Sequence, residues 1–207
     1  MELKQYQSEV KRTLPDLKAS ELNIAHMIYG LNSEFDEILN AVDNANLNEE
    51  AGDLLWYASN YCNIKNIDIW RVFSFSKDYY RVLPNDDYII QLQVEISKLT
   101  DIEKKVLAYK RETSYETFLN AITSVYERLN DCYVYYNMDP LDSMQKNIDK
   151  LRKRYPDKFS AYHANNRDLV GEREILEGVK PLNDSFINRV TEILKKETQA
   201  NGAEEVK

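Results

Sequence analysis

Apolar residues recur at steps of three and four along most of this chain, which is the spacing of one face of an α-helix. The clearest run belongs to a helix predicted to begin at an N-cap, Ser20, and to end around residues 44–46. Its apolar positions alternate strictly by four and three: Ile24, Ile28, Leu31, Phe35, Ile38 and Val42. Only five glycines and five prolines interrupt the 207 residues. The pattern therefore predicts an all-α protein.

The same period predicts helices on both sides of this run. A short helix over 2–13 should stop before Pro15, because the residue preceding a proline is pushed out of the helical region. The next long helix should begin at Asn46, which stands three residues before Glu49 as in a capping box, and run to about Asn63. The remaining predicted helices are two within 87–138, one over 140–154 and one over 183–197.

These elements predict one all-α domain over 1–197, built as a helical bundle from antiparallel helical hairpins. A polar tail at 198–207 is expected to be disordered. Three parts follow one another within the domain: a first hairpin at 21–65, a helical insertion at 66–138 and a basic helix at 140–154. The start of the insertion, 66–86, is rich in aromatic residues and shows no clear period.

Four carboxylates in the first hairpin form two pairs: Glu34 with Glu37, and Glu50 with Asp53. At roughly 100° per residue, each pair falls about 80° and about 140° from the apolar stripe of its helix, in the same rotational sense. Because a short connection makes neighbouring helices antiparallel, the pairs must either face each other or both face away. Small residues on the carboxylate side, Gly30, Ala41 and Gly52, favour the facing arrangement.

Two interpretations of these pairs remain open. Four converging carboxylates would repel one another, and would protonate or move apart unless a cation joined them. A hard divalent ion such as Mg²⁺ accepts carboxylate oxygens and keeps open positions that phosphates can fill. The spacings E-x-x-E and E-x-x-D are by themselves more typical of exposed helix faces. The pattern alone thus leaves a metal site and two solvated faces as alternatives.

Composition limits the class of partner. The 27 basic and 35 acidic side chains give a net charge of −8, which argues against a nucleic acid polymer or an anionic membrane as the ligand. No apolar span of membrane length, secretory signal or lipidation motif is visible. Cys62 and Cys132 are expected to be reduced packing residues, so a cytoplasmic location is predicted. His26 and His163 have no Cys or His at ligand spacing, which argues against zinc.

The acidic pairs stand in two segments, "GLNSEFDE" at 30–37 and "EEAGDLLWY" at 49–57. Together they resemble the MazG-like all-α nucleoside triphosphate pyrophosphohydrolases, whose signature is E-x-x-E, a spacer and E-x-x-D. Two flanking segments, "YQSEVKRTLPD" at 6–16 and "NIDKLRKRYPDKF" at 147–159, are similar to the family's own, in the same order. Compact members lack the insertion 66–138 and bury their hairpins by forming dimers or tetramers. Here the insertion could supply the second hairpin.

The resemblance implies an enzyme that hydrolyses a nucleoside triphosphate, expected to be a deoxynucleotide, to the monophosphate and pyrophosphate in nucleotide-pool cleansing or supply. It implies a Mg²⁺ site made of four acids: Glu34, Glu37, Glu50 and Asp53. It also implies that Asn147, Lys150 and Arg154 reach the phosphates and that Tyr57 lies near the nucleoside. Glu37 or Glu50 would act as the catalytic base. A homo-oligomer, dimer or tetramer, is left open.

Other interpretations compete with this one. The basic residues from Lys150 to Arg154 are also typical of a solvated helix end, where cations complement the helix dipole. The chain could instead be a non-catalytic helical module that binds a nucleotide or a protein. A di-iron bundle normally needs E-x-x-H motifs, and the sequence has none.

Overall fold

The computed structural model describes residues 1–73 and 88–177, and every regular element within those ranges is an α-helix. The predicted helix at 183–197 and the tail at 198–207 lie outside the described residues, as do residues 74–86 of the aromatic stretch. The helices are α1 (Leu3–Arg12), α2 (Ser20–Leu39), α3 (Asn44–Lys65), α4 (Ile69–Val72), α5 (Tyr88–Tyr109), α6 (Tyr115–Tyr135), α7 (Pro140–Arg154), α8 (Ala161–Asn165) and α9 (Leu169–Leu176). The all-α prediction is confirmed.

Helices α2 and α3 form the first hairpin and bury their apolar stripes against each other. Helix α2 ends at Leu39, so the prediction of an end at 44–46 was wrong. Val42 consequently leaves the stripe and is 76% exposed. The connection is short because Asp43, and not Asn46, caps α3: the Asp43 carboxylate accepts a hydrogen bond from the backbone N–H of Asn46 at 2.8 Å.

Helices α1 and α7 pack on the side of α3 that carries Gly52. A Cβ atom added to Gly52 would lie 3.3 Å from both Asn147 Cβ and the Ser143 carbonyl oxygen of α7. The glycine inside α3 therefore permits the close approach of α7, which runs over the predicted range 140–154. Tyr6 and Val10 of α1 are fully buried in the same layer.

The second hairpin, α5 and α6, packs against the first within the same chain. Buried hydrogen bonds join the two: Ser59 and Tyr126 share one at 2.9 Å, and the Tyr61 hydroxyl donates to Glu103 Oε1 at 2.6 Å. Asn32 of α2 also donates to Thr100 of α5. Helices α5 and α6 thus extend the helical bundle within the chain. Among the described residues, no helix is long and apolar enough to cross a membrane.

The C-terminal described segment returns to the face formed by α3 and α7. Ser160 caps α8 and Asp168 caps α9, each by accepting a backbone N–H with its side chain. Helix α9 then lies against both α7 and α3. Arg173 of α9 donates to Asp43, the cap of α3, at 2.6 Å. This placement puts charged residues of the segment beside the acidic edge of the first hairpin.

Candidate metal and phosphate site

Three of the four predicted acids converge between α2 and α3. Each of Glu34, Glu50 and Asp53 offers a carboxylate oxygen, and these oxygens lie within 4.8 Å of one another. Glu34 and Glu50 are buried, while Asp53 is partly exposed. The acid-bearing edges of the two helices therefore face each other, the arrangement that the small residues favoured. We call these three residues the acidic group.

Glu37 lies at the rim of this group. Its side chain is exposed, and the structure leaves it outside the three converging carboxylates. Its charge nevertheless contributes to raising the pKa of both Glu34 and Glu50. Glu37 is thus close enough to act on the acidic group without sharing its burial.

The acidic group is electrostatically incomplete by itself. Burial, followed by repulsion from Asp53 and Glu37, raises the pKa of Glu34 to about 9. Burial and the charges of Asp53 and Glu49 raise the pKa of Glu50 to about 8. Near neutral pH such carboxyls would hold protons unless a cation took their place. Hard carboxylate oxygens at this spacing are the donors that Mg²⁺ prefers, so the residues present fit the ion.

Two side chains of α7 donate hydrogen bonds to the carboxylate of Asp53. The Lys150 ammonium donates to Asp53 Oδ2 at 2.5 Å and to Glu49 Oε1 at 3.0 Å. The Asn147 amide donates to Asp53 Oδ1 at 2.6 Å. Lys150 is 1% exposed, so a solvated helix end does not describe it. Burial alone would lower the pKa of Lys150, but the charges of Asp53 and Glu49 outweigh it and raise that pKa.

Arg154 continues the same face of α7, at the position after Asn147 and Lys150 in the helical spacing. It does not bind the acidic group but Glu172 of α9, through two hydrogen bonds of 2.9 and 2.6 Å. Arg167 binds the same carboxylate. Neither Glu172 nor Arg167 was among the residues singled out from the sequence. The dense alternation of charge in "RDLVGERE", 167–174, was the available signal.

Tyr57 lies on the α2 side of the site. Its ring occupies the space above Gly30, where an added Cβ would be 2.0 Å from Tyr57 Cε1. The rings of His26 and Trp56 stand edge-on to it, with centroids 5.5 and 4.8 Å away. Burial and the charge of Glu34 raise the pKa of Tyr57, so the phenol stays protonated. This aromatic surface borders the acidic group.

Comparison with known proteins finds one family model that matches part of the chain. Residues 23–82 match the family model of the MazG nucleotide pyrophosphohydrolase domain. The matched segment contains all four predicted acids, so the MazG-like resemblance is confirmed there. A domain of this kind supports nucleotide pyrophosphohydrolase activity in general and implies a nucleotide as the substrate. No curated protein and no solved structure matches the chain significantly.

Proposed function

We propose that this protein is a Mg²⁺-dependent enzyme that hydrolyses a nucleoside triphosphate, expected to be a deoxynucleotide, to the monophosphate and pyrophosphate. The observation that carries the proposal is the convergence of the buried Glu34 and Glu50 with the partly exposed Asp53, inside the segment matched by the MazG family model. Two buried carboxylates beside a third create a repulsion that a bound cation relieves, which supports a metal-dependent function.

Under this proposal the acidic group holds Mg²⁺, which supplies Lewis-acid polarisation of phosphoryl oxygens and a more acidic bound water. The residues around the acidic group fix the orientation of its carboxylates. Lys150 and Asn147 orient Asp53 by occupying one oxygen each. The Asn46 amide donates to Glu50 Oε1 at 2.5 Å and fixes that carboxylate in the same way.

The proton acceptor must be an acid with a carboxylate oxygen that does not bind the ion. Both Glu37 and Glu50 were candidates from the sequence. Glu50 contributes an oxygen to the converging set, whereas Glu37 stands exposed at its rim. Glu37 is therefore the better placed of the two to take a proton from an attacking water and release it to solvent.

The substrate is assigned to the open side of the acidic group. The partly exposed ring of Tyr57, which His26 and the buried Trp56 contact edge-on, is an aromatic group on which a base could stack. Arg154, Lys150 and Asn147 stand on the α7 side, where phosphates would lie. This division into an aromatic and a cationic side supports a nucleotide ligand.

The test is a panel of ribo- and deoxyribonucleoside triphosphates with Mg²⁺, in which monophosphate plus pyrophosphate is resolved from diphosphate plus phosphate. We expect monophosphate and pyrophosphate, with the highest kcat/KM for a deoxynucleotide. Glu50→Gln should reduce pyrophosphate release to background while the protein still folds. Glu112→Gln, at an exposed position between α5 and α6, is the matched control and should keep wild-type turnover.

Two outcomes would contradict the proposal. Diphosphate and phosphate as products would assign a different reaction. A protein that melts at a higher temperature with nucleotide, yet turns over no member of the panel, would be a nucleotide-binding module without catalysis.

A further inference from the structure

Two arginines from different parts of the chain converge on one buried carboxylate. Arg154 ends α7, Arg167 precedes α9, and Glu172 lies in the first turn of α9. Arg154 donates from Nε to Glu172 Oε1 at 2.9 Å and from Nη2 to Oε2 at 2.6 Å. Arg167 donates from Nε and Nη2 to the same Oε2 at 3.1 and 2.7 Å. One carboxylate therefore holds two guanidinium groups side by side.

The Glu172 carboxylate does not use all the hydrogen-bond donors of the two arginines. The bonds use Nε and Nη2 of each, so both Nη1 groups have no hydrogen-bond acceptor among the described residues. The side chains of Arg154 and Arg167 are 14% and 38% exposed, so a ligand can reach them. Since Glu172 offsets only one of the two positive charges, the cluster keeps a net charge of about +1.

The cluster lies on the phosphate side of the proposed active site. Arg154 lies one turn after Lys150 on α7, and Lys150 binds Asp53 of the acidic group. Burial would lower the pKa of Arg154, but Glu172 and, to a smaller extent, the charge of Asp53 raise it. Lys150 and Asn147, one and two turns earlier on the same face, already bind Asp53. The Nη1 groups of the two arginines thus add donors on this side to those of Lys150 and Asn147.

We infer that Arg154 and Arg167 form a clamp for the pyrophosphate end of the substrate, and that Glu172 is the positioning residue that holds both guanidinium groups in register. This inference rests on the proposed function and adds Arg167 and Glu172 to its residues. Each guanidinium uses its Nε and Nη2 on Glu172 and keeps Nη1, so two cationic planes held in fixed orientations can donate to the oxygens of a diphosphate, with less loss of freedom than mobile lysines would have.

Glu172 is itself firmly placed. Its backbone N–H donates to the Asp168 carbonyl at 2.9 Å, and the Asp168 carboxylate caps the helix through Gly171 N at 3.0 Å. The Lys153 side chain crosses Gly171, where an added Cβ would be 1.9 Å from its Nζ, and pairs with Asp168 at 3.3 Å. A carboxylate anchored in this way can fix the arginines against thermal motion, which lowers the entropy lost when phosphate binds.

The test is calorimetric titration of the full chain with inorganic pyrophosphate in the presence of Mg²⁺. Arg167→Gln should weaken binding about 10-fold, the usual effect of losing one charge-assisted hydrogen bond. Arg152→Gln is the matched control: Arg152 lies on α7, is half exposed and pairs with Glu9, so the change should stay within about 2-fold. Arg167→Lys keeps the charge without the fork and should weaken binding by a smaller factor than Arg167→Gln.

The variant Glu172→Gln distinguishes a positioning role of Glu172 from the effect of its negative charge alone. Removing a negative charge should strengthen anion binding if charge alone matters, whereas loss of the anchor should weaken it. We expect weaker binding and a lower kcat for the triphosphate, with an unchanged helix content. Glu174→Gln, at an exposed position of the same helix, should leave both quantities unchanged.

Several results would overturn the clamp. They are an Arg167→Gln effect no larger than that of Arg152→Gln, tighter pyrophosphate binding by Glu172→Gln, or no pyrophosphate binding by the wild type. Hydrolysis by the wild type is measured separately. A wild type that hydrolyses triphosphates without any role for Arg167 overturns only the clamp, and one that shows the binding pattern without hydrolysis overturns only the proposed reaction.

Discussion

Glu34 and Glu50 lie in surroundings that disfavour their charged forms. Both are buried and surrounded by other carboxylates, and the charge of Lys150 lowers their pKa values by less than burial and repulsion raise them. Lys150 is itself bound by Asp53 and Glu49. At the scale of single residues, the buried carboxyl groups of Glu34 and Glu50 therefore need either a proton or a divalent cation to offset their negative charge.

The raised pKa values predict that the stabilisation of the protein by Mg²⁺ depends on pH. The pKa values of Glu34 and Glu50 are raised to about 9 and about 8 in the folded protein, above their ordinary value of 4.5. Their contribution to the stability of the metal-free protein is thus fully present below about pH 4.5 and is lost as pH rises through 8 and 9. Mg²⁺ binds the ionised groups, so its stabilising effect should grow over the same range.

The measurement is thermal unfolding with chelator and with millimolar Mg²⁺, at about pH 6 and about pH 9. We expect a larger rise in Tm from Mg²⁺ at the higher pH. The double variant Glu34→Gln/Glu50→Gln should remove both the pH dependence and the metal effect. An equal Mg²⁺ effect at both pH values would contradict the assignment of the ion to these carboxylates.

At the scale of helices, glycines decide how closely elements approach. Gly52 lets α7 lie against α3, and Gly30 leaves room for the ring of Tyr57. Glycine inside a helix costs about 1 kcal/mol relative to alanine, so each position needs such a reason. Ala41, grouped with them from the sequence, follows the end of α2 and has no such role within a helix.

Gly30→Ala is therefore predicted to destabilise the protein, although the same change in an ordinary helix stabilises it. The new Cβ would lie 2.0 Å from Tyr57 Cε1, so the ring must move. We expect a loss of about 1–3 kcal/mol in the free energy of unfolding, measured by urea denaturation. In a Tyr57→Ala background the ring is absent, and Gly30→Ala should then be neutral or stabilising. Equal effects in both backgrounds would exclude the steric cause.

At the scale of the whole molecule, the second hairpin, α5 and α6, packs against the first within the same chain. Glu103 of α5 is 0% exposed and joins the two hairpins. It accepts a hydrogen bond from Tyr61 at 2.6 Å and pairs with Lys65 at 2.7 Å, both on α3. The bundle is thus held together within one chain, while a dimer or tetramer stays a prediction, as does the cytoplasmic location.

Glu103→Ala should reveal how much this junction stabilises the bundle. Removing one partner of a buried ion pair leaves Lys65 without its counter-ion, and we expect a loss of about 3–5 kcal/mol by urea denaturation. Glu95→Ala breaks a pair within α5, with Lys98, and should cost no more than about 1 kcal/mol. A double-mutant cycle with Tyr61→Phe should show coupling. Similar losses for Glu103→Ala and Glu95→Ala would mean that the junction does not stabilise the bundle.

The sequence was sufficient for features that depend on local period and spacing. The helical period predicted an all-α bundle and placed α7 over its range of 140–154. The equal offsets of the two acidic pairs limited them to facing together or facing away. Helix ends were less predictable, because Asp43 and Asn46 are both good N-caps and only the geometry of the α2–α3 connection selects between them.

The amino-acid sequence by itself determined the all-α class, the long helices of the two hairpins and the spacing of the acids within each helix, because these follow from neighbours a few residues apart. The short helices α4, α8 and α9 carry too little periodicity to be predicted in this way. Only the tertiary structure decided that Lys150 binds Asp53 and that Arg154 binds Glu172 with Arg167. These partners are 97 and 18 residues apart for the first two pairs. Such contacts arise from how α7 and α9 pack on α3, which no periodicity along the chain encodes.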